Sequence, residues 1–369
     1  MRIAGVQLSA WRNYDNQVAV FESSPTILIG SNGQGKTNFV EAIAYAARGK
    51  SHRVSADSAL VGAGKPEAHL RMRVVDGNRT LDVDVAVKSS GSNQVRLNGQ
   101  PSKKRELIRL LPVVMFAPED MDIIRGEPQA RRDFLDDVLA LSTARFSGVL
   151  SDYDRVLRQR NALLKSLKSH KLDADLSTLD AWTENLIVLA GQIIRERRRI
   201  IDRISPDFAR DYVAIAGGSA AAGLSIQETV GEDCPSAQIE ERLRELFHNK
   251  QNEERDRGTT LVGPHRDDLV ITLNGLPGRT HSSQGEAWSL AIALRLAMVD
   301  ITRETSTVGD PVVILDDVFS ELDSARRERL AAHLRDIEHI IITAADESSL
   351  PESLGGTRYR VSGGVIERE

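Results

Sequence analysis

Ile27-Leu28-Ile29-Gly30-Ser31-Asn32-Gly33-Gln34-Gly35-Lys36-Thr37-Asn38 runs from a short apolar stretch through a glycine-rich turn into a segment whose apolar side chains recur at helical spacing, from about Asn38 to Ala47. This is the full Walker A pattern in the strand, turn, helix setting that its mechanism requires. Glycine at 30, 33 and 35 lets backbone N–H groups converge on a phosphate in conformations that a Cβ would obstruct. Lys36 is placed to neutralise the β- and γ-phosphates of ATP, and the Thr37 hydroxyl to bind Mg²⁺. The positive end of the helix entered at Asn38 favours the same anion. Residues Gly30 to Asn38 are therefore the first set of nucleotide-binding candidates.

The matching acidic element lies far along the chain, where Val312-Val313-Ile314-Leu315 runs into Asp316-Asp317. A buried strand ending in two adjacent carboxylates is costly unless a cation neutralises them. Asp316 is the candidate magnesium ligand together with Thr37, acting mostly through water. Asp317 is the candidate that polarises the attacking water, with Lys36 as the second catalytic candidate. Ser283-Gln284-Gly285-Glu286 precedes an amphipathic run through Ala287, Leu290, Leu294, Ala297 and Ile301. Ser283 reads as the cap of that helix, and Gly285 allows close approach of an anion to its start. The Walker A cradle already surrounds its own ATP on one side, so a second copy of the chain is expected to present this helix start. Ser283, Gly285 and Glu286 join the nucleotide-binding set on that basis.

Around these elements the pattern is α/β. Residues up to 35 alternate in period two, with Val18 and Val20 on one face, and Leu81, Val83, Val85 and Val87 alternate again before the hairpin signal Asn98-Gly99. A short helix is expected from Lys104 to Leu111, then a buried strand at Val113–Phe116. Two 3-4 rhythms follow, Phe146, Val149, Tyr153, Val156, Leu163, Leu167 with Arg160 at the skipped position, and Leu179, Trp182, Leu186, Leu189, Ile193, Ile200. With a turn between His170 and Ser177 they predict an antiparallel hairpin roughly 35 Å long. It is either a protruding coiled coil or part of an ordinary bundle. The expected organisation is a mixed-sheet ATPase head with flanking helices in residues 1–125, an inserted all-helical arm in 126–257, and the returning head in 258–369.

Composition narrows the setting. The 369 residues are 41% hydrophobic, enough for a sizeable core, and the single cysteine, Cys234, excludes a disulfide framework. No run of about 18 apolar residues occurs and Met1 to Ala10 lacks the blocks of a signal peptide, so a cytoplasmic protein without a membrane partner is expected. A net charge of −5 does not advertise a nucleic-acid binder. Local clusters are still candidates for a phosphate footprint: Arg195, Arg197, Arg198 and Arg199, and Lys103, Lys104 and Arg105.

The order of Walker A, long insertion, Ser-x-Gly-Glu, Walker B and Ser320-Glu321-Leu322-Asp323 resembles the SMC-like branch of the ABC ATPases. Arg12-Asn13-Tyr14, Gly49-Lys50-Ser51-His52-Arg53 and the stretch from Gly258 through Thr259-Thr260-Leu261-Val262-Gly263-Pro264-His265-Arg266 to Asp267-Asp268 extend the resemblance, over essentially the whole chain, to its bacterial recombination mediators. That resemblance implies an ATP-dependent head-to-head homodimer that binds double-stranded DNA near gaps with little regard to sequence. It also implies the partners RecO and RecR, and a role in loading RecA during repair and the SOS response. It carries Asp323 into the site as part of the dimer-contacting loop. His52 and Arg53 are nucleotide candidates or order the loop after the P-loop helix; His265 and Arg266 are catalytic or structural. Three positions depart from the general ABC pattern. Asp317 stands where most have Glu, which implies slow hydrolysis; Thr343 replaces the switch histidine; and no glutamine follows Phe116, where Glu119 and Asp120 are the nearest polar residues. The rival readings are a transporter ATPase subunit and a clamp that uses ATP without hydrolysing it.

Overall fold

The computed structural model describes residues 1–22, 24–77, 79–143, 145–170 and 177–369. The chain divides into two compact units, one of Met1–Met121, Arg210–Ser219 and Ser283–Glu369, the other of Asp122–Ala209 and Ala220–Ser282.

In the first unit the apolar runs become neighbouring strands. Thr26–Ile29 pairs in parallel with Ile340–Ala344 and with Thr357–Ser362. Ile340–Ala344 pairs in parallel with Val312–Asp316, which pairs in parallel with Val113–Phe116. Val365–Arg368 adds an antiparallel edge, giving a mixed six-stranded sheet. The strands at 113–116, 312–316 and 340–344 are buried along their whole length. Covered on both faces, such strands read as continuous apolar runs rather than alternating ones. A second, antiparallel sheet takes Arg2–Trp11, Tyr14–Val20, Glu67–Asp76, Arg79–Lys88, Gln94–Leu97 and Gln100–Pro101. Asn98 and Gly99 make its two-residue turn with φ of 48° and 77°, the geometry the hairpin signal demands. The P-loop helix, Lys36–Arg48, touches strands of both sheets and is apolar around almost its full circumference, as a helix buried on all sides must be.

One alternation points the other way from a simple reading. Val18 and Val20 share a face, but that face meets solvent, while Gln17 turns inward. The inward amide is satisfied by the backbone of the last strand: Gln17 Nε2 donates to Ile366 O at 3.1 Å and Oε1 accepts from Ile366 N at 3.2 Å. A polar side chain is tolerated in a core when its donor and acceptor are both paired.

In the second unit the helices Phe146–His170 and Ser177–Ala216, the latter as far as Ala209, carry the two expected rhythms. Residues 171–176 of the expected turn lie outside the described residues. A further helix, Ile239–Arg257, packs on Phe146–His170, so the bundle reading describes this part of the arm. Arg160, at the skipped position, is only 2% exposed. Its guanidinium donates to Glu254 Oε2 at 2.6 Å, Thr260 Oγ1 at 2.8 Å and Thr183 Oγ1 at 3.0 Å, and lies over the Phe247 ring. Arg160→Met is expected to leave the buried Glu254 without its cationic partner, at a cost of about 3–5 kcal/mol. A chemical-denaturation midpoint unchanged by that substitution would refute the assignment. The strand Asp268–Leu273 pairs antiparallel with Ala222–Gln227, and Arg131 grips Asp268 through two bonds at 2.7 and 2.8 Å. The compact unit accordingly runs on to Ser282, past the expected return of the head at 258.

Candidate nucleotide site

The Walker A turn is shaped by close approaches on both flanks. Gly33 and Gly35 take φ of 81° and 118°. A Cβ on Gly35 would lie 2.7 Å from Asn13 Nδ2, and one on Gly30 would lie 2.2 Å from Val361 O. The Tyr14 hydroxyl donates to Gly35 O at 3.0 Å and Asn13 Nδ2 to Gln34 O at 3.2 Å. On the other side Gln34 Oε1 accepts from Gly363 N at 2.7 Å and Gln34 O from Gly364 N at 3.1 Å. Ser31, Asn32 and Gly33 stay exposed at the rim. The role of the turn at Gly363-Gly364 had no sequence signal beyond two adjacent glycines.

Lys36 is buried at the head of its helix, and its ammonium donates to Gly30 O and, at 3.2 Å, to Ser31 O. Burial pulls its pKa below the usual lysine value, against the opposing influence of Asp317 and Asp316. Asp316 is 2% exposed, and its Oδ1 accepts from Thr343 Oγ1 at 2.6 Å and from Thr37 Oγ1 at 3.2 Å. Burial raises its pKa to about 6, opposed by those hydroxyls. The Thr37 to Asp316 bond joins the two Walker elements within one chain. Asp317 sits in the left-handed region, φ 53°, with its N–H donating to Thr343 Oγ1 at 2.9 Å. Its buried Oδ1 has no partner among the described residues.

Beside the P-loop helix, the Asn38 side chain connects two loops: Nδ2 donates to Asn13 Oδ1 at 2.8 Å and Oδ1 accepts from Arg53 at 3.0 Å. Glu41, wholly buried, accepts twice from Arg12, at 2.9 and 2.8 Å, and from Ser51 Oγ at 2.6 Å. Arg53 also approaches Glu41 at 3.8 Å and Glu119 at 4.0 Å. His52 has two buried ring nitrogens without partners among the described residues, and burial lowers its pKa to about 4, so the ring is neutral. Asp120 is engaged elsewhere, accepting from Arg295 at 2.6 and 3.1 Å and from Ala117 N.

Ser283 is exposed and caps the helix Gln284–Thr305 in a capping box: Ser283 Oγ accepts from Glu286 N at 3.3 Å and Glu286 Oε2 accepts from Ser283 N at 2.8 Å. These bonds hold the Glu286 carboxyl below its ordinary pKa. Asp323 caps the next helix, Ser324–Leu334, accepting from Arg326 N at 2.9 Å. The Arg326 guanidinium joins both helix starts, bonding Asp323 Oδ2 and Ser289 Oγ, and a Cβ on Gly285 would lie 2.9 Å from it. Ser283, Gly285, Glu286 and Asp323 thus form one cluster, and Walker A with Walker B another. Arg326 was missed by sequence reading; its only signal was its place three residues after Asp323, less than one helical turn on.

Other candidates are absorbed by structure. Arg195 pairs with Glu240, Arg197 with Asp136, Arg198 with Glu228 and Arg199 with Glu196. Arg197 is also buried and bonds Pro264 O. Each of the four thus faces a carboxylate, and Arg199, in a surface pair within its own helix, is the most exposed of them. Lys104 is committed to Asp57, Tyr45 and Gly49 O, while Lys103 is exposed; the Arg105 side chain lies outside the described part. His265 Nδ1 lies 2.6 Å from the buried Tyr153 hydroxyl, and Arg266 donates to Thr260 O at 2.7 Å, which favours the structural reading of this pair. Burial keeps His265 neutral, with a pKa of about 4, and raises Asp267 to about 6.

A parallel strand core carrying Walker A and Walker B on the first and third of three adjacent strands, with a capped signature helix, defines the ATPase head fold of the SMC-like ABC class. Residues 2–359 match the family described as the RecF/RecN/SMC N terminal domain. The chain belongs to the RecF family. It is 42% identical over 386 residues to the DNA replication and repair protein RecF of Clavibacter sepedonicus, covering 99% of this chain and 95% of that one. It is 40% identical over 378 residues to RecF of Frankia alni, with both chains covered in full. Among solved structures, that of the recombination mediator protein RecF-ATP in the RecFOR pathway superposes with a TM-score of 0.90 at 27% identity, over 100% of this chain and 97% of the other. An Smc head bound to the C-winged helix domain of ScpA, at a TM-score of 0.55 and 16% identity, shares the fold, over 100% of this chain and 97% of its own. None of the described helices is long and apolar enough to cross a membrane.

Proposed function

We propose that this chain is an ATP-dependent DNA-binding protein of recombinational repair, in which ATP held by one copy is closed by the signature helix of a second. The observation that carries this reading is the separation into two clusters. Thr37 and Asp316 join Walker A to Walker B, whereas Ser283 and Asp323 are tied to each other's elements through Arg326. On this reading Gly30 to Asn38 cradle the triphosphate, and Lys36 exchanges the carbonyls of Gly30 and Ser31 for phosphate oxygens. Ser283, Gly285 and Glu286 meet the γ-phosphate of the partner's ATP, and Asp323 lines the dimer contact. His52 and Arg53 face the nucleotide from the loop after the P-loop helix.

Thr37 and Asp316 supply two hard oxygen donors, one of them a carboxylate whose burial makes its charge costly, and this fits Mg²⁺ with nucleotide and water completing the shell. The ion would neutralise charge on the phosphates. Asp317, with a partnerless buried oxygen, accepts a hydrogen bond from the attacking water and turns it toward the γ-phosphate. Its short side chain makes hydrolysis slow.

The dimer holds duplex DNA near gaps through its phosphates, with little sequence preference. It works with RecO and RecR in loading RecA, in replication restart and in the SOS response, in a cytoplasmic setting. The names of the relatives, DNA replication and repair proteins, support this assignment. Sedimentation with ATP, with ADP and without nucleotide, repeated on gapped duplex DNA, tests it. Dimers are expected with ATP alone, and Lys36→Met is expected to lose ATP binding and dimers together. Dimers that form equally in all three nucleotide states would refute the proposal.

A further inference from the structure

Thr343 lies on the strand between the Walker A strand and the Walker B strand, in register with Asp316 on one side and Leu28 on the other, and is wholly buried. A threonine hydroxyl has one proton to give and two lone pairs to receive with. Here the Asp317 N–H points at a lone pair from 2.9 Å, so the single proton is directed to Asp316 Oδ1, 2.6 Å away. The hydroxyl therefore links two consecutive residues of Walker B in a fixed sense, as acceptor from the second and donor to the first. Asp317 is held in the left-handed region at φ 53°, an unfavourable backbone state for any residue other than glycine and tolerated best by Asn and Asp. Asp316, for its part, is turned so that the same oxygen also meets Thr37.

We propose that Thr343 is the positioning residue of this site. Its hydroxyl aims Asp316 at Thr37 and the metal position, and fixes the turn from which Asp317 addresses the attacking water. The inference rests on the ATP reading above and deepens it. Thr343 is wholly buried and acts through the two aspartates it bonds. From the neighbouring strand it orients the Asp316 carboxylate directly and the Asp317 backbone through its N–H, which a side chain without a hydroxyl cannot do. Supporting groups that orient metal-binding carboxylates in this way typically govern a factor of roughly 10 to 100 in metal affinity or activity.

The test compares Thr343→Val, Thr343→Ala and Thr343→Ser in the full chain, with two readouts. The first is ATP binding by calorimetry in EDTA and in Mg²⁺. The second is steady-state hydrolysis with kcat and KM separated, on samples whose circular dichroism matches wild type. Val and Ala are expected to bind ATP normally in EDTA, to lose about tenfold or more of the gain in affinity that Mg²⁺ confers, and to lower kcat rather than raise KM. Ser, which keeps the hydroxyl, is expected to restore both. If Val does not fold, Ala, which leaves room for a water, carries the comparison. Val or Ala with wild-type magnesium dependence and kcat would overturn the role of Thr343, and so would Ser as defective as Val. A wild-type chain that binds no ATP would instead overturn the ATP reading, which separates the two failures.

Discussion

Ser283→Arg is expected to bind ATP as tightly as the wild type and to fail to dimerise. On the proposed reading the nucleotide is held within one chain by the Walker A turn, and Ser283 bonds Glu286 in its own capping box, so the substitution leaves the cradle untouched. A long cationic side chain at the exposed start of the helix fills the space that the partner's triphosphate must enter. It also adds positive charge to a helix end that is already positive. Loss of the cap costs only about 1 kcal/mol in the helix itself. Loss of the trans contact is expected to weaken ATP-induced association by at least about a hundredfold, roughly 3 kcal/mol. Sedimentation with ATP separates the outcomes, with nucleotide binding measured on the same sample. Dimers of ordinary strength would remove Ser283 from the contact and with it the model of a pocket completed by two copies.

Asp317→Asn is expected to trap the opposite state. Asparagine adopts the left-handed backbone as readily as aspartate, so the turn at φ 53° and its bond to Thr343 should persist. What disappears is the carboxylate whose Oδ1 is buried without a partner. An amide cannot take a proton from water, and removal of a general base slows the chemical step by roughly 10² to 10⁴. ATP-loaded dimers on DNA should accumulate while ATP binding is unchanged. Single-turnover hydrolysis followed with radiolabelled ATP gives the measurement, and turnover at the wild-type rate would exclude Asp317 from the mechanism.

The elements whose geometry leaves a local trace were legible in the amino-acid order. Gly33 and Gly35 announce a backbone that only glycine adopts comfortably, and Asn98-Gly99 does the same for its hairpin. Ser283 with Glu286 three residues on is a capping box in sequence and in space. What was misread depended on residues far away along the chain. The arginines at 195, 197 and 198 look like part of a cationic stripe until Glu240, Asp136 and Glu228 are brought against them by folding. The compact unit extends past 258 to Ser282 because strand pairing of 268–273 with 222–227 is a long-range bond with no local signature. Thr343 stood out only as an absent histidine; its work becomes visible when parallel register sets it beside Asp316.

The guanidinium of Arg326, seated against Gly285 and fastened to Asp323 and Ser289, has a mechanical corollary. Two stretches from different parts of the chain are rivetted into a single plate. In the proposed dimer a docking copy would therefore meet one preformed footprint, with no pair of independent loops to order.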